Sequence, residues 1–230
     1  MLDVIIKEYP DFFRKYEKLY IERFIYNSTE IEGIKTPEER RIFVDQMLQA
    51  FYAIYDSDSE KLSVMDIVNL SDLINKEYGL SGLRRTVVYP GDCAAFCPCE
   101  PSKIYQSLYF LLVNYYNVWC DEHISPYLRE AMFHINFMRI HPFEDGNKRT
   151  GKIIMASNLL KANCAPVLIT EEDTEIYYSF INNMDYDGFA EFLKKRSKVE
   201  MDTLVSLFKL EYNISMHESP EDFVRSRKSQ

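Results

Sequence analysis

Through most of the chain apolar residues recur at three- and four-residue steps, the spacing of helices with one buried face. The first long run carries Phe12, Phe13, Tyr16, Leu19, Tyr20, Phe24 and Ile25. It begins at Pro10 and stops at Gly33, a residue common just past a helix end. Thr36-Pro37-Glu38-Glu39 then spells a helix start. A hydroxyl caps, Pro sits where no amide partner is needed, and Glu closes a capping box. That helix is expected to end near Tyr55, at the acidic turn Asp56-Ser57-Asp58. Ser63 caps the next one, whose Ile67, Leu70, Leu73 and Ile74 share a face, up to Gly79. Helical spacing resumes over 101–119 and from Ser125-Pro126 to Ile140. His141 precedes Pro142, and a residue before Pro avoids helical angles. Three more helices are expected: 147–162, one opened by the acidic stretch 170–173, and 187–212.

The stretch 83–101 breaks the pattern. Thr86, Val87, Val88 and Tyr89 are β-branched or aromatic, and Pro90-Gly91-Asp92 follows as a turn. A short β-hairpin flap is expected there. The fold class is all-α, a helical bundle with one hairpin flap. Its organisation is an N-terminal helical region over 1–60, a core domain over 61–212 and a loose polar tail over 213–230.

Composition narrows the function classes. Hydrophobic residues make up 47% of 230, which excludes disorder as the main state and fills a core without disulfide or metal staples. A net charge of −9 disfavours a nucleic-acid partner, which needs clustered Lys and Arg. No window approaches the roughly 18 apolar residues of a membrane helix, so no membrane partner is expected. Asp3 and Lys7 bracket a short apolar run, unlike a secretory leader. With five cysteines, an odd count, this points to a reducing cytoplasm. Cys93, Cys97 and Cys99 lie close together, but a closed zinc site needs a second hook. Only Cys120 or His123 is near enough in sequence to offer one more ligand, and zinc is not expected. His123, His134 and His217 show no readable partner pattern.

Candidate chemistry concentrates in 140–152, IHPFEDGNKRTGK. A helix ends at His141, a loop turns, and another helix begins near Asn147. His141 is a candidate general base, its ordinary pKa lying near 6.5. Phe143 is apolar in a polar loop and anchors it. Glu144 and Asp145 are oxygen ligands suited to a hard cation such as Mg²⁺. Gly146 lets backbone approach a ligand closely. The amides at Gly146, Asn147 and Lys148 would then point out of a helix N-terminus, a natural phosphate seat. Arg149 can grip a phosphate bidentately, and Lys152 follows one turn later. Base, metal ligand, anion nest and cations within twelve residues describe phosphate-transfer chemistry.

This segment resembles the signature of the Fic/Doc family, H-x-F-x-[D/E]-G-N-G-R-x-x-R. His141, Phe143, Asp145, Gly146, Asn147 and Arg149 match it. Lys148 stands for the second Gly and Lys152 for the final Arg. The string NKRT is similar to the Doc-like, phosphorylating branch, whereas Gly146 is similar to the adenylylating one. The resemblance implies that ATP and Mg²⁺ are used and that a Ser, Thr or Tyr hydroxyl of a target protein is modified. His141 would take the hydroxyl proton and Asp145 would hold Mg²⁺. Phe143, Gly146, Asn147, Lys148, Arg149 and Lys152 would hold the nucleotide, and residues 86–89 would clamp the target by strand addition. Ser28, Glu32 and Gly33 fit the motif [S/T]-x-x-x-E-[G/N], the inhibitory motif of self-restrained Fic proteins. Glu32 would pair with the cation at position 152 and block the γ-phosphate seat. AMP transfer under this restraint is the reading adopted. The alternatives are Doc-like γ-phosphate transfer, removal of AMP from a modified target, and nucleotide or partner binding without turnover. A homo-oligomer is also compatible with the sequence.

Overall fold

The computed structural model describes residues 2–31, 36–56, 61–120, 123–215, 219–220 and 222–223, with 29–31 as backbone only. Among these residues nine α-helices follow one another. They are α1 (Leu2–Glu8), α2 (Pro10–Ile31), α3 (Pro37–Tyr55), α4 (Val64–Ile74) and α5 (Ile104–Asn114). Then come α6 (Pro126–Ile140), α7 (Asn147–Lys161), α8 (Thr174–Asn183) and α9 (Tyr186–Glu211). The starts follow local chemistry. Thr36 and Ser63 both close capping boxes, with Glu39 and Asp66, and each satisfies otherwise orphaned first-turn amides. The Ser125 side chain accepts from Leu128 N–H, and that of Asp185 accepts from Gly188 N–H.

Two helices lie at the centre. The buried residues of α6 include Ala131, Phe133, His134, Ile135, Phe137 and Met138, so it is covered on several sides. It packs against α5, α7, α8 and α9. Helix α7 is buried along almost its whole length, from Asn147 to Leu160. It meets α6 where Gly151 faces His134 and Phe137: a Cβ there would come within 2.9 Å of the His134 ring. Helices α2 and α3 cover the far side. Tyr20 of α2 donates to Val167 O, and Arg23 donates to both oxygens of Glu200 on α9. Beyond α9, the Phe223 ring lies 6.2–6.5 Å from the rings of Tyr9, Phe208 and Tyr212.

Three sequence expectations are refined. Residues 2–8 form a helix where the pattern named none. The 101–119 helix is divided into a 3₁₀ turn at Pro101–Lys103, α5, and a π turn at Tyr115–Trp119. The hairpin at 86–92 is corrected: among the described residues there is no strand. β-Propensity needs a ladder partner, and this excursion finds only isolated ones. Its backbone is pinned by Arg84 N–H to Pro142 O (2.9 Å) and Cys99 N–H to Arg139 O (3.3 Å). The Asn182 side chain accepts from Ala95 N–H (2.8 Å) and donates to Cys93 O (3.0 Å).

Candidate active site

The site is built where α6 stops. His141 takes a left-handed backbone (φ 50°), uncommon for a residue with a Cβ and frequent at functional sites. Pro142 has no N–H to fold back onto the helix, so the chain leaves sharply. Phe143 is buried against Phe137 and anchors the loop in the core. The Asn147 side chain locks this turn. Its Oδ1 accepts from Phe143 N–H (3.0 Å) and its Nδ2 donates to Phe143 O (2.9 Å). Asn147 therefore braces the loop with its side chain, leaving its backbone amide at the start of α7.

His141 lies 3.3 Å by Nδ1 from Met138 O. A carbonyl only accepts, so Nδ1 carries the proton and Nε2 is the basic atom. Burial lowers the His141 pKa to about 4; the positive charges of Arg84 and Lys148 act in the same direction. The Met138 carbonyl and Asp145 oppose them without reversing the result. The imidazole is neutral at pH 7 and ready to accept. A base with so low a pKa predicts that kcat/KM of the free protein stays flat from pH 8 to about 5.5. A pH profile with an acid limb near the ordinary histidine value of about 6.5 would contradict this. Stability should change on the same side. The folded pKa is depressed, so the neutral His141 contributes stability present above about pH 6.5 and lost as pH falls. Buried His134, lowered to about 3, adds to that trend.

The next loop residues form a tight turn ahead of α7. Gly146 has φ 79°, and a Cβ there would lie 2.9 Å from Asn75 Nδ2. Asn75, buried at the end of α4, donates to Asp145 O (3.0 Å) and Ser71 Oγ (3.2 Å), and so props the turn from behind. The N-cap of α7 is Gly146, which has no side chain to cap the helix. The first amides of α7 and the helix dipole therefore face the loop. A cleft of about 210 Å³ is lined here by His141, Asp145, Gly146, Lys148, Tyr89 and Tyr178. Asp145 Oδ1 accepts from Gly146 N–H (2.6 Å), and Oδ2 lies 2.9 Å from Arg149. Arg149 itself is buried, its guanidinium over the Phe43 ring of α3.

Lys152 is buried as well. Its ammonium sits 5.5 Å over the Tyr177 ring, and Tyr177 OH lies 2.8 Å from His134 Nε2. Thr86, Val87 and Tyr89 are exposed, and Val88 is half-buried. The Thr86 hydroxyl donates to Glu144 (3.4 Å) and Tyr89 OH to Asp92 (3.2 Å), and Tyr89 borders the His141 cleft. Cys93, Cys97 and Cys99 are free thiols, and among the described residues no three His, Cys, Asp or Glu side chains converge as a metal site. Ser28 is buried and its hydroxyl donates to Phe24 O within α2. Glu32 and Gly33 lie outside the described residues. Asn75 and Arg84, both buried against the loop, were missed by sequence reading. Neither sits in a motif, and Arg84 has an exposed Arg85 beside it.

Residues 61–159 match the family described as the Fic/DOC family. That stretch is a Fic/DOC-family region. It is 26% identical over 211 residues to a protein named "Protein adenylyltransferase Fic" of Aedes aegypti, covering 78% of this chain and 40% of that protein. The chain thus spans well under half of that curated relative's length. A Fic-domain-containing signalling protein from Bacteroides thetaiotaomicron shares the fold, with a TM-score of 0.68 at 19% identity over 91% of this chain and 93% of that one. So does IbpAFic2, solved in complex with adenylylated Cdc42: TM-score 0.57, 19% identity, 82% of this chain and 70% of that one. The Fic loop of this chain runs from His141 to Lys152. Its residues fit a divalent cation. The Asp145 carboxylate is half-exposed and its oxygens keep lone pairs beyond the two contacts above. One carboxylate plus substrate phosphates is how Mg²⁺ is usually held. Among the described residues no helix is long and apolar enough to cross a membrane.

Proposed function

We propose that this chain transfers AMP from ATP to a hydroxyl side chain of a target protein. The observation that carries the reading is a neutral, buried His141 opening on the same cleft as Asp145, Lys148 and the glycine-led start of α7. In the proposed step the target hydroxyl gives its proton to His141 Nε2. Its oxygen bonds to the α-phosphorus, and the bond to the β-phosphate oxygen breaks, releasing pyrophosphate. The first amides of α7 hold phosphate oxygens, and Lys148 adds positive charge at the rim. Asp145 would hold Mg²⁺, which when bound neutralises phosphate charge. The exposed segment at 86–89 would receive the target, pairing main chain to main chain. A protein substrate is supported by the relative's name and by the Fic protein captured with adenylylated Cdc42. One feature favours a second reading. Lys148 in place of Gly is similar to the Doc-like loop, in which the γ-phosphate moves. The released product separates the two: pyrophosphate for AMP transfer, ADP for phosphate transfer. ADP as the sole product would replace the first reading with the second.

The reading includes restraint by Glu32, which would occupy the γ-phosphate seat beside Lys152. Lys lacks the fork of Arg, so the grip is weaker than an Arg would give. Glu32→Gly should raise transfer several-fold with little change in Tm. A Glu32→Gly protein with unchanged or lower transfer and intact ATP binding would reduce 28–33 to a helix end.

A further inference from the structure

We propose that Arg84 is a positioning residue that holds His141 in place by closing the neck of the 86–99 excursion onto the end of α6. The accounting of α6's last carbonyls leads there. A helix leaves its final carbonyls without intrahelical donors, and they must find others. Phe137 O accepts from His141 N–H (3.0 Å), and Met138 O faces His141 Nδ1. Arg139 O accepts from Cys99 N–H. The two remaining carbonyls, of Ile140 and His141, receive no backbone N–H from the described part of the following loop, where Phe143 N–H is spent on Asn147 Oδ1. Arg84 supplies both: Nε donates to His141 O (2.6 Å) and Nη2 to Ile140 O (3.3 Å).

The same guanidinium also grips both ends of the excursion. Nη1 donates to Thr86 O (2.7 Å) and Nη2 to Cys99 O. Its own backbone N–H donates to Pro142 O (2.9 Å). Arg84 is 3% exposed, so these bonds are made away from water. Four carbonyls from two segments thus converge on one planar cation, which also opposes the negative end of the α6 dipole. The strained left-handed backbone of His141 is held from the carbonyl side by Arg84 and from the ring side by Met138 O. Displacing either hold would move the basic nitrogen relative to the cleft.

Lysine keeps the charge but has one nitrogen and three donors, so it cannot span both segments. Arg84→Lys therefore separates geometry from charge. The expected result is a kcat lower by about 10²-fold, the usual effect of an ångström-scale misplacement. The KM for ATP should stay within about threefold, because uniform binding by the α7 nest is untouched. The inference rests on the transfer reading only for that rate. Its second readout needs no ATP. The chain has four histidines, and the ring resonances of His141 and His134 can be followed by NMR in the free protein. The His141 signal should move in Arg84→Lys while that of His134, buried two turns earlier on α6, stays. Arg85→Lys, on the exposed neighbour, should leave rate and both signals unchanged. Parent-like kcat with an unmoved His141 signal would overturn the proposal. So would equal displacement of both signals, or loss of the fold, which would make Arg84 a general brace. A parent chain that transfers nothing, yet whose His141 signal answers to Arg84→Lys, would remove the functional reading and leave the positioning role standing.

Discussion

His141→Ala should lose transfer by about 10²–10⁴-fold, the range for removing a general base, while ATP affinity stays within a few-fold. The ring contributes one basic atom and no bond to the phosphate seat. That seat is made by the first amides of α7 and Lys148, which remain when the ring is gone. The left-handed backbone at 141 complicates a simple deletion, because Ala tolerates it less well than His. His141→Asn answers this: Asn tolerates that conformation and cannot act as a base at neutral pH. Both variants should be equally inactive in single-turnover transfer and should bind ATP alike. Transfer by His141→Asn close to the parent rate would remove the imidazole from the mechanism.

Gly146→Ala should be nearly as damaging for a different reason. The backbone there has φ 79°, where a Cβ costs about 1–2 kcal/mol. The new methyl would also meet Asn75 Nδ2 at 2.9 Å. Asn75 cannot retreat freely: it is buried and tied to Ser71 and to Asp145 O. The turn must shift, carrying the Asp145 carboxylate and the amides that start α7. A displacement of that kind is expected to lower kcat/KM by about 10²-fold, split between kcat and the KM for ATP. Strain and overpacking together of about 1–3 kcal/mol should lower Tm by about 3–10 °C in a domain of this size. Gly146→Ala with parent kcat/KM would show that the turn can bend without consequence. A paired test is Asn75→Ala,Gly146→Ala: removing the obstructing amide should restore part of the stability but not the left-handed strain.

Much of this architecture was legible from local rules. Thr36 and Ser63 start helices because each brings its own cap and an acid three residues on. The chemistry of 140–152 was legible because base, acid, Gly and cations fall at spacings that a helix end, a tight turn and a helix start bring together. What local rules could not show came from tertiary partners. Residues 86–89 have strand-like side chains but no neighbouring ladder, and they became an excursion pinned by Arg84 and Asn182. Lys152 and Arg149 read as phosphate-gripping cations, but their burial was not legible: α7 runs through the middle of the bundle and carries them inside, onto aromatic rings. Asn147 is in the motif by its letter, but its amide group is spent on the Phe143 backbone. Arg84 and Asn75 are separated from the loop by roughly sixty and seventy residues of chain, distances at which periodicity and capping rules are silent.

Intact-mass measurement of the parent and His141→Asn chains, after incubation with Mg²⁺, ATP and candidate protein targets, tests the central claim most directly. The account predicts that the parent adds the mass of AMP to a Ser, Thr or Tyr hydroxyl, on itself or on a target, and that the variant adds nothing. A parent that adds only the mass of a phosphate, or a His141→Asn chain that still adds AMP, would contradict it.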